Sequence, residues 1–208
     1  MSNFSREQLM AAVAGMRSPT RRQVQVWRWV CFLAAIVWMC GVFASVGAFA
    51  HSASRPTLVT AVITLGLCVL AVASTTAVLA RGATPIGPTR TTLALTTTLV
   101  PFVVLGWLSF WQPTLAHADV PAGWRCGGLT LALGVALLAA MTIASRASDA
   151  IHPRWLGTAF GAVAGAWAAV FAAGWCPLFD FPHTFFGHVV PIVVLAAMGT
   201  SCARVLRA

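Results

Sequence analysis

The chain has 208 residues, of which 59% are hydrophobic and only 8% charged, with a mean hydropathy of +0.86 and a formal net charge of +9. Soluble domains carry about a quarter charged residues, so this composition excludes a water-soluble globular protein and places the chain in a lipid bilayer. All of the positive charge comes from arginine, and it reads as membrane topology and attraction to anionic lipid, with no direct nucleic-acid partner.

The first residues start a helix legibly. Ser5 and Gln8 form an S-x-x-Q capping box, and Phe4 can staple onto Leu9. Leu9, Ala12, Val13 and Met16 fall on one face, with Met10 at its margin. A helix of about three turns is marginal alone in water. It gains stability by lying on the bilayer or by laying its apolar face into a groove of a partner protein, and the sequence leaves both readings open. Pro19 and the arginines after it set this segment apart. Residues 1–25 are therefore expected to be a cytoplasmic N-terminal helix, and residues 26–208 a transmembrane domain.

Six apolar runs approach the roughly 20 residues that an α-helix needs to cross the hydrocarbon. They run approximately over Trp27–Ala50, Thr57–Ala80, Thr91–Gln112, Gly127–Ser145, Trp155–Trp175 and Phe185–Ala203. The expected fold is all-α and polytopic, with six spans. In the first run, Ala48-Phe49-Ala50 resembles a signal-peptidase site, but the apolar stretch exceeds the usual h-region and a long polar lead precedes it, so it is read as a retained span. The third run is interrupted by Pro101 and is rich in threonine, whose hydroxyls can satisfy freed backbone groups. With the N-terminus inside, Arg6, Arg17, Arg21, Arg22, Arg28, Arg81, Arg90, Arg146, Arg154, Arg204 and Arg207 fall on the inner face, and only Arg55 and Arg125 on the outer. That asymmetry predicts both termini in the cytoplasm.

Gly157, Gly161 and Gly165 recur every fourth residue in the fifth run and bare one helix face for a close neighbour, within the chain or, less simply, in a homodimer. Trp27, Trp29, Trp107, Trp111, Trp124, Trp155 and Trp175 fall near predicted interfaces and read as belt residues. No Asp, Glu or Arg lies in the middle of a run, which disfavours a transporter or pump. H-E-x-x-H, G-x-S-x-G, a phosphate loop and C-x-x-C are all absent, and no enzymatic activity is expected.

Polar chemistry collects on the outer side: His51, His117, Asp119, Arg125, Cys126, Cys176, Asp180 and His183, with His188 about one turn into the last run. Cys126 opens the fourth run and Cys176 closes the fifth. A short turn joins these runs on the other side, so the two thiols reach the same depth. Such a pair can close a disulfide in an oxidising compartment. It can equally give a transient site for zinc, cadmium or another thiophilic metal, with His183, Asp180, His117 and His188 as possible co-ligands and no cofactor strictly required. A plain stabilising role stays open beside both. His188, next to Pro191, is expected to have a hydrogen-bond partner and reads as structural before it reads as part of the outer site. Cys31, Cys40, Cys68 and Cys202 read as small hydrophobes within spans.

The segments "REQLMAAVAGMRSPTRRQ", "WRCGGLTLALGVALLAAM" and "WCPLFDFPHTFFGHVVPIVVLA", set in six spans, resemble the negative regulator of sigma F (NrsF) family, bacterial inner-membrane anti-sigma factors. The resemblance implies an extracytoplasmic-function sigma factor as partner, held by residues 5–22 with Leu9, Met10, Val13 and Met16 as the contact face. It further implies that Cys126 and Cys176 carry a response to heavy metal or oxidative stress. Two other readings use the same thiols: a membrane thiol or quinone oxidoreductase, and a metal-binding accessory protein.

Overall fold

A computed structural model describes residues 21–45, 57–80, 89–110, 123–146, 152–176 and 181–202. The N-terminal segment with Leu9, Met10, Val13 and Met16, and the connections holding His117 and Asp180, lie outside the described residues.

Six helices are present among the described residues: α1 (Arg21–Ser45), α2 (Thr57–Thr75, prolonged by a π-helical turn over Thr76–Ala80), α3 (Arg90–Phe110), α4 (Trp124–Ala144), α5 (Pro153–Trp175) and α6 (Phe181–Ser201). No strand occurs among the described residues. All but α3 are long and apolar enough to cross a membrane, and α3 matches them in length with its threonine-rich first half and Pro101. At about 1.5 Å per residue, 21 residues reach about 31 Å, the depth of the hydrocarbon core.

Two helix starts lie a turn or more ahead of the expected runs. α1 begins at Arg21 rather than Trp27, because its arginines and glutamines are good helix formers and extend the apolar run by more than a turn. α6 begins at Phe181 rather than Phe185, because Pro182 stands in the first turn, where a missing N–H costs nothing. The second shift draws His183 out of the connection and into the helix.

α5 is the axis of the bundle. Within its apolar stretch 83% of the residues are buried, against 22% for α1, so the other helices pack around it. Two cores form on its flanks. Phe32, Met39, Leu133, Leu137, Met141 and Phe160 fill one with α1, α4 and α6; Ile63, Leu67, Val100, Val104 and Ile192 fill the other with α2, α3 and α6. The outward faces carry Leu33, Val37, Leu58, Leu65, Val69 and Phe102, which suit lipid rather than water. In lipid the helices gain little from hiding oily surface, so association depends on close packing and interhelical hydrogen bonds.

Both devices are visible. A Cβ on Gly157 would collide with the carbonyl oxygen of Gly199, one on Gly161 with that of Leu195, and one on Gly165 would lie 2.8 Å from Cγ2 of Ile192. The glycine stripe of α5 is thus a seam with α6 inside one chain. Thr158 and Thr200 extend it with hydroxyls 2.7 Å apart. On the other flank Trp167 donates from Nε1 to Oγ1 of Thr75 at 2.9 Å. Trp107, read above as a belt residue, also lies across Gly66 and donates to the carbonyl of Ile63 at 3.3 Å. Trp155 lies beneath the guanidinium of Arg90, 6.0 Å from its ring centre.

Candidate metal and thiol site

Cys126 stands in the first turn of α4, and Cys176 follows the last residue of α5, its N–H closing onto the carbonyl of Ala172 at 2.8 Å. Because α4 and α5 follow one another closely in the chain and run antiparallel, residues 50 positions apart meet at one end of the bundle. No disulfide joins the two sulfurs, and their residues are only 3% and 0% exposed.

α6 brings two imidazoles to the same place. Its chain runs as α-helix over Phe181–Thr184, as a π turn over Phe185–Val189 and as α-helix again over Val190–Ser201. In a regular α-helix, at about 100° per residue, positions five apart point about 140° away from one another. A π turn closes i→i+5 instead, so residues spaced by five come round to one face. His183 and His188 have that spacing, and their rings lie 5.9 Å apart.

Close backbone contact seats the π turn. A Cβ on Gly123 would lie 2.7 Å from the carbonyl oxygen of His183, and one on Gly187 would lie 3.2 Å from Cβ of Cys126. Thr130 ties the two helices, its hydroxyl 2.8 Å from the carbonyl of Cys126 and 3.3 Å from that of Gly187.

The outcome is a buried cluster in which one ligating atom from each of Cys126, Cys176, His183 and His188 lies within 4.8 Å of all the others. Nε2 of His183 is 3.0 Å from Sγ of Cys176. Cys176, just past the end of its apolar span, has its thiol pulled well below the ordinary range. The side-chain hydrogen bond with Cys126 is the chief cause; His183 and His188 add to it, and burial opposes it. Both ring nitrogens of His188 are buried without a hydrogen-bond partner at bonding distance, and its imidazole lowers the thiol by its close approach and by its charge.

His188, read from the sequence as structural first and as a possible co-ligand second, is found among the clustered ligating atoms. It has no hydrogen-bond partner and stands in the cluster, because the π turn swings it from the helix flank toward the sulfurs. The signal that marks it is the H-x4-H spacing, which fits neither helical nor strand periodicity. Gly123 and Gly187 also went unmarked, since isolated glycines in a glycine-rich chain carry no pattern. His117 and Asp180 lie outside the described residues.

No curated protein and no solved structure gives a significant match to the chain. A family model described as "Negative regulator of sigma F" matches residues 48–207, taking in α2 to α6 and all four clustered side chains, and leaving residues 1–47 outside the match. With most of its length so matched, the chain belongs to the NrsF family, the negative regulators of sigma F.

Proposed function

We propose that the protein is an inner-membrane anti-sigma factor with six spans and both termini in the cytoplasm. It holds an extracytoplasmic-function sigma factor through residues 5–22 and releases it when the Cys126–Cys176 pair is ligated or oxidised. The observation that carries this reading is the meeting of those two thiols, from distant points in the chain, in a chain of a negative-regulator family.

The fold supports the division of labour. Phe43, near the end of α1, packs against Gly174 near the end of α5, so α1 begins at the end of the bundle opposite Cys176. Arg21, to which the proposed sigma-binding segment is joined, therefore stands at the far side from the thiols. Between the two ends runs the α5–α6 seam, whose backbones touch at Gly157 and Gly199. Packing that close has little give, so a shift of α6 at the cluster moves its other end as well. A coupling of about 1–3 kcal/mol would change sigma-factor affinity roughly 5- to 150-fold. Burial of both sulfurs weighs against a thiol oxidoreductase, whose reactive thiol must reach its substrate.

The test is co-purification of a sigma factor with the full chain from its own membranes. The factor should be recovered with the wild type and lost on deleting residues 1–22. Cadmium or a thiol oxidant should release it from the wild type but not from Cys126→Ser or Cys176→Ser. Recovery with the deleted chain would refute the sigma-binding segment, and release from both single variants would refute the sensor.

A further inference from the structure

We infer that Cys126, Cys176, His183 and His188 form a four-ligand tetrahedral site for a thiophilic divalent cation of the zinc group, and that the π turn of α6 makes the fourth ligand available. This inference rests on reading the cysteine pair as the signal input, and it names what is bound there and by which side chains.

Three observations carry it. The ligand set is complete: two sulfurs and two imidazoles come from three helices, and their ligating atoms are mutually within 4.8 Å. Bond lengths of about 2.3 Å to sulfur and 2.0–2.1 Å to nitrogen place tetrahedral ligands about 3.3–3.8 Å apart, so small side-chain rotations suffice to close round an ion. Secondly, His188 is 0% exposed and neither ring nitrogen has a hydrogen-bond partner. A buried imidazole without a partner costs free energy, and it faces the sulfurs. Thirdly, the local fold departs from regular helix at this point. The π turn over Phe185–Val189 contains His188, and it is seated by Gly123 and Gly187, where side chains would intrude.

Charge selects the ion. Two thiolates and two neutral imidazoles carry −2, which a divalent cation cancels. A monovalent ion would leave a net charge at a buried site, and burying an uncompensated charge is expensive. A closed S2N2 set with no position left for water is the pattern of a tightly held zinc-group ion rather than of a catalytic one. Binding balances by releasing the protons the thiols carry; no oxidation occurs.

The probe is Co(II), titrated into the full-length protein in detergent after chelation and reduction, followed by displacement with Zn(II) or Cd(II). The wild type should take up one cobalt per chain, with a thiolate-to-cobalt charge-transfer band and the intense visible bands of a tetrahedral ion. His183→Ala and His188→Ala should each lose more affinity than the roughly 10- to 100-fold typical of changing a residue that only orients a ligand. His188→Cys should bind again with a stronger charge-transfer band from its third sulfur, an outcome that a merely structural histidine would not produce. Wild-type cobalt affinity in both alanine variants, or no charge-transfer band in the wild type, would overturn the inference. Sigma-factor co-purification is scored separately in the same preparations. Retained capture without metal uptake sinks the metal site alone, whereas metal uptake without capture sinks the anti-sigma reading alone.

Discussion

The hydroxyl of Thr130, one turn into α4, lies 3.3 Å from the carbonyl of Gly187 in the π turn of α6 and 2.8 Å from the carbonyl of Cys126 in its own helix. One side chain thus links the backbone of a thiol-bearing residue to the turn that presents His188. Replacing it by valine keeps the volume and removes the link. Interhelical side-chain hydrogen bonds in membrane proteins are worth about 0.6 kcal/mol on average and up to about 1.7. Thr130→Val should cost about that much in unfolding measured by denaturing-detergent titration, and Thr130→Ser should cost less. Equal losses in the two variants would show that the hydroxyl does not matter.

The glycine seam gives a prediction of opposite signs within one chain. A Cβ at Gly161 has no room, because it meets the backbone carbonyl of Leu195, which cannot rotate away; at Gly128 nothing lies within 4 Å. Gly161→Ala should destabilise by about 1–3 kcal/mol or more, as overpacking against rigid neighbours does. Gly128→Ala should be neutral or stabilise by up to about 1 kcal/mol through helix propensity. Thermal unfolding in detergent compares the two directly, and Gly161→Ala matching Gly128→Ala would refute the seam.

The thiol pair should also show itself in its pH dependence. Cys176 is held well below the ordinary thiol range, chiefly by its hydrogen bond with Cys126. A depressed thiol contributes stability that is present above its unfolded value and lost as pH falls through its folded one. The ultraviolet thiolate signal of the wild type minus that of Cys176→Ser should therefore persist as pH is lowered past about 8.5, where a free thiol loses it. A difference signal that collapses near that pH would contradict the geometry of the pair.

Trp167 offers a check away from the site. Its Nε1 donates to Thr75, whose hydroxyl donates in turn to the carbonyl of Ala71 at 2.7 Å. Trp167→Phe removes a donor and part of a ring that packs edge-on against Phe32, 5.8 Å between centres. A loss of about 1–2 kcal/mol is expected in the same unfolding assay, the hydrogen bond and the trimmed ring each contributing. Thr75→Val should reproduce only the hydrogen-bond part of that loss. Wild-type stability in Trp167→Phe would place the indole outside the packing.

Much of this was legible in the sequence for a physical reason. Long apolar runs must be helices in lipid, because every backbone group has to find its partner within the segment. Short turns then force antiparallel neighbours, which puts the start of α4 beside the end of α5 and so Cys126 near Cys176. The π turn was not legible: a helix that widens for one turn does so because Gly123 and Gly187 let two backbones meet, a contact between residues 64 positions apart. In a regular helix His188 would stand about 140° round from His183, so its place beside the sulfurs depends on a turn that the sequence does not announce. The central place of α5 was foreshadowed by its alanines and glycines, which crowd where helices approach from every side.

A π turn accommodates one residue more than an α-helical turn does. A homologue that dropped one position between His183 and His188 would carry the imidazoles four apart, where an ordinary helix already sets them on one side. Counting residues between two histidines would then tell, in any relative, whether its last helix bulges at that point.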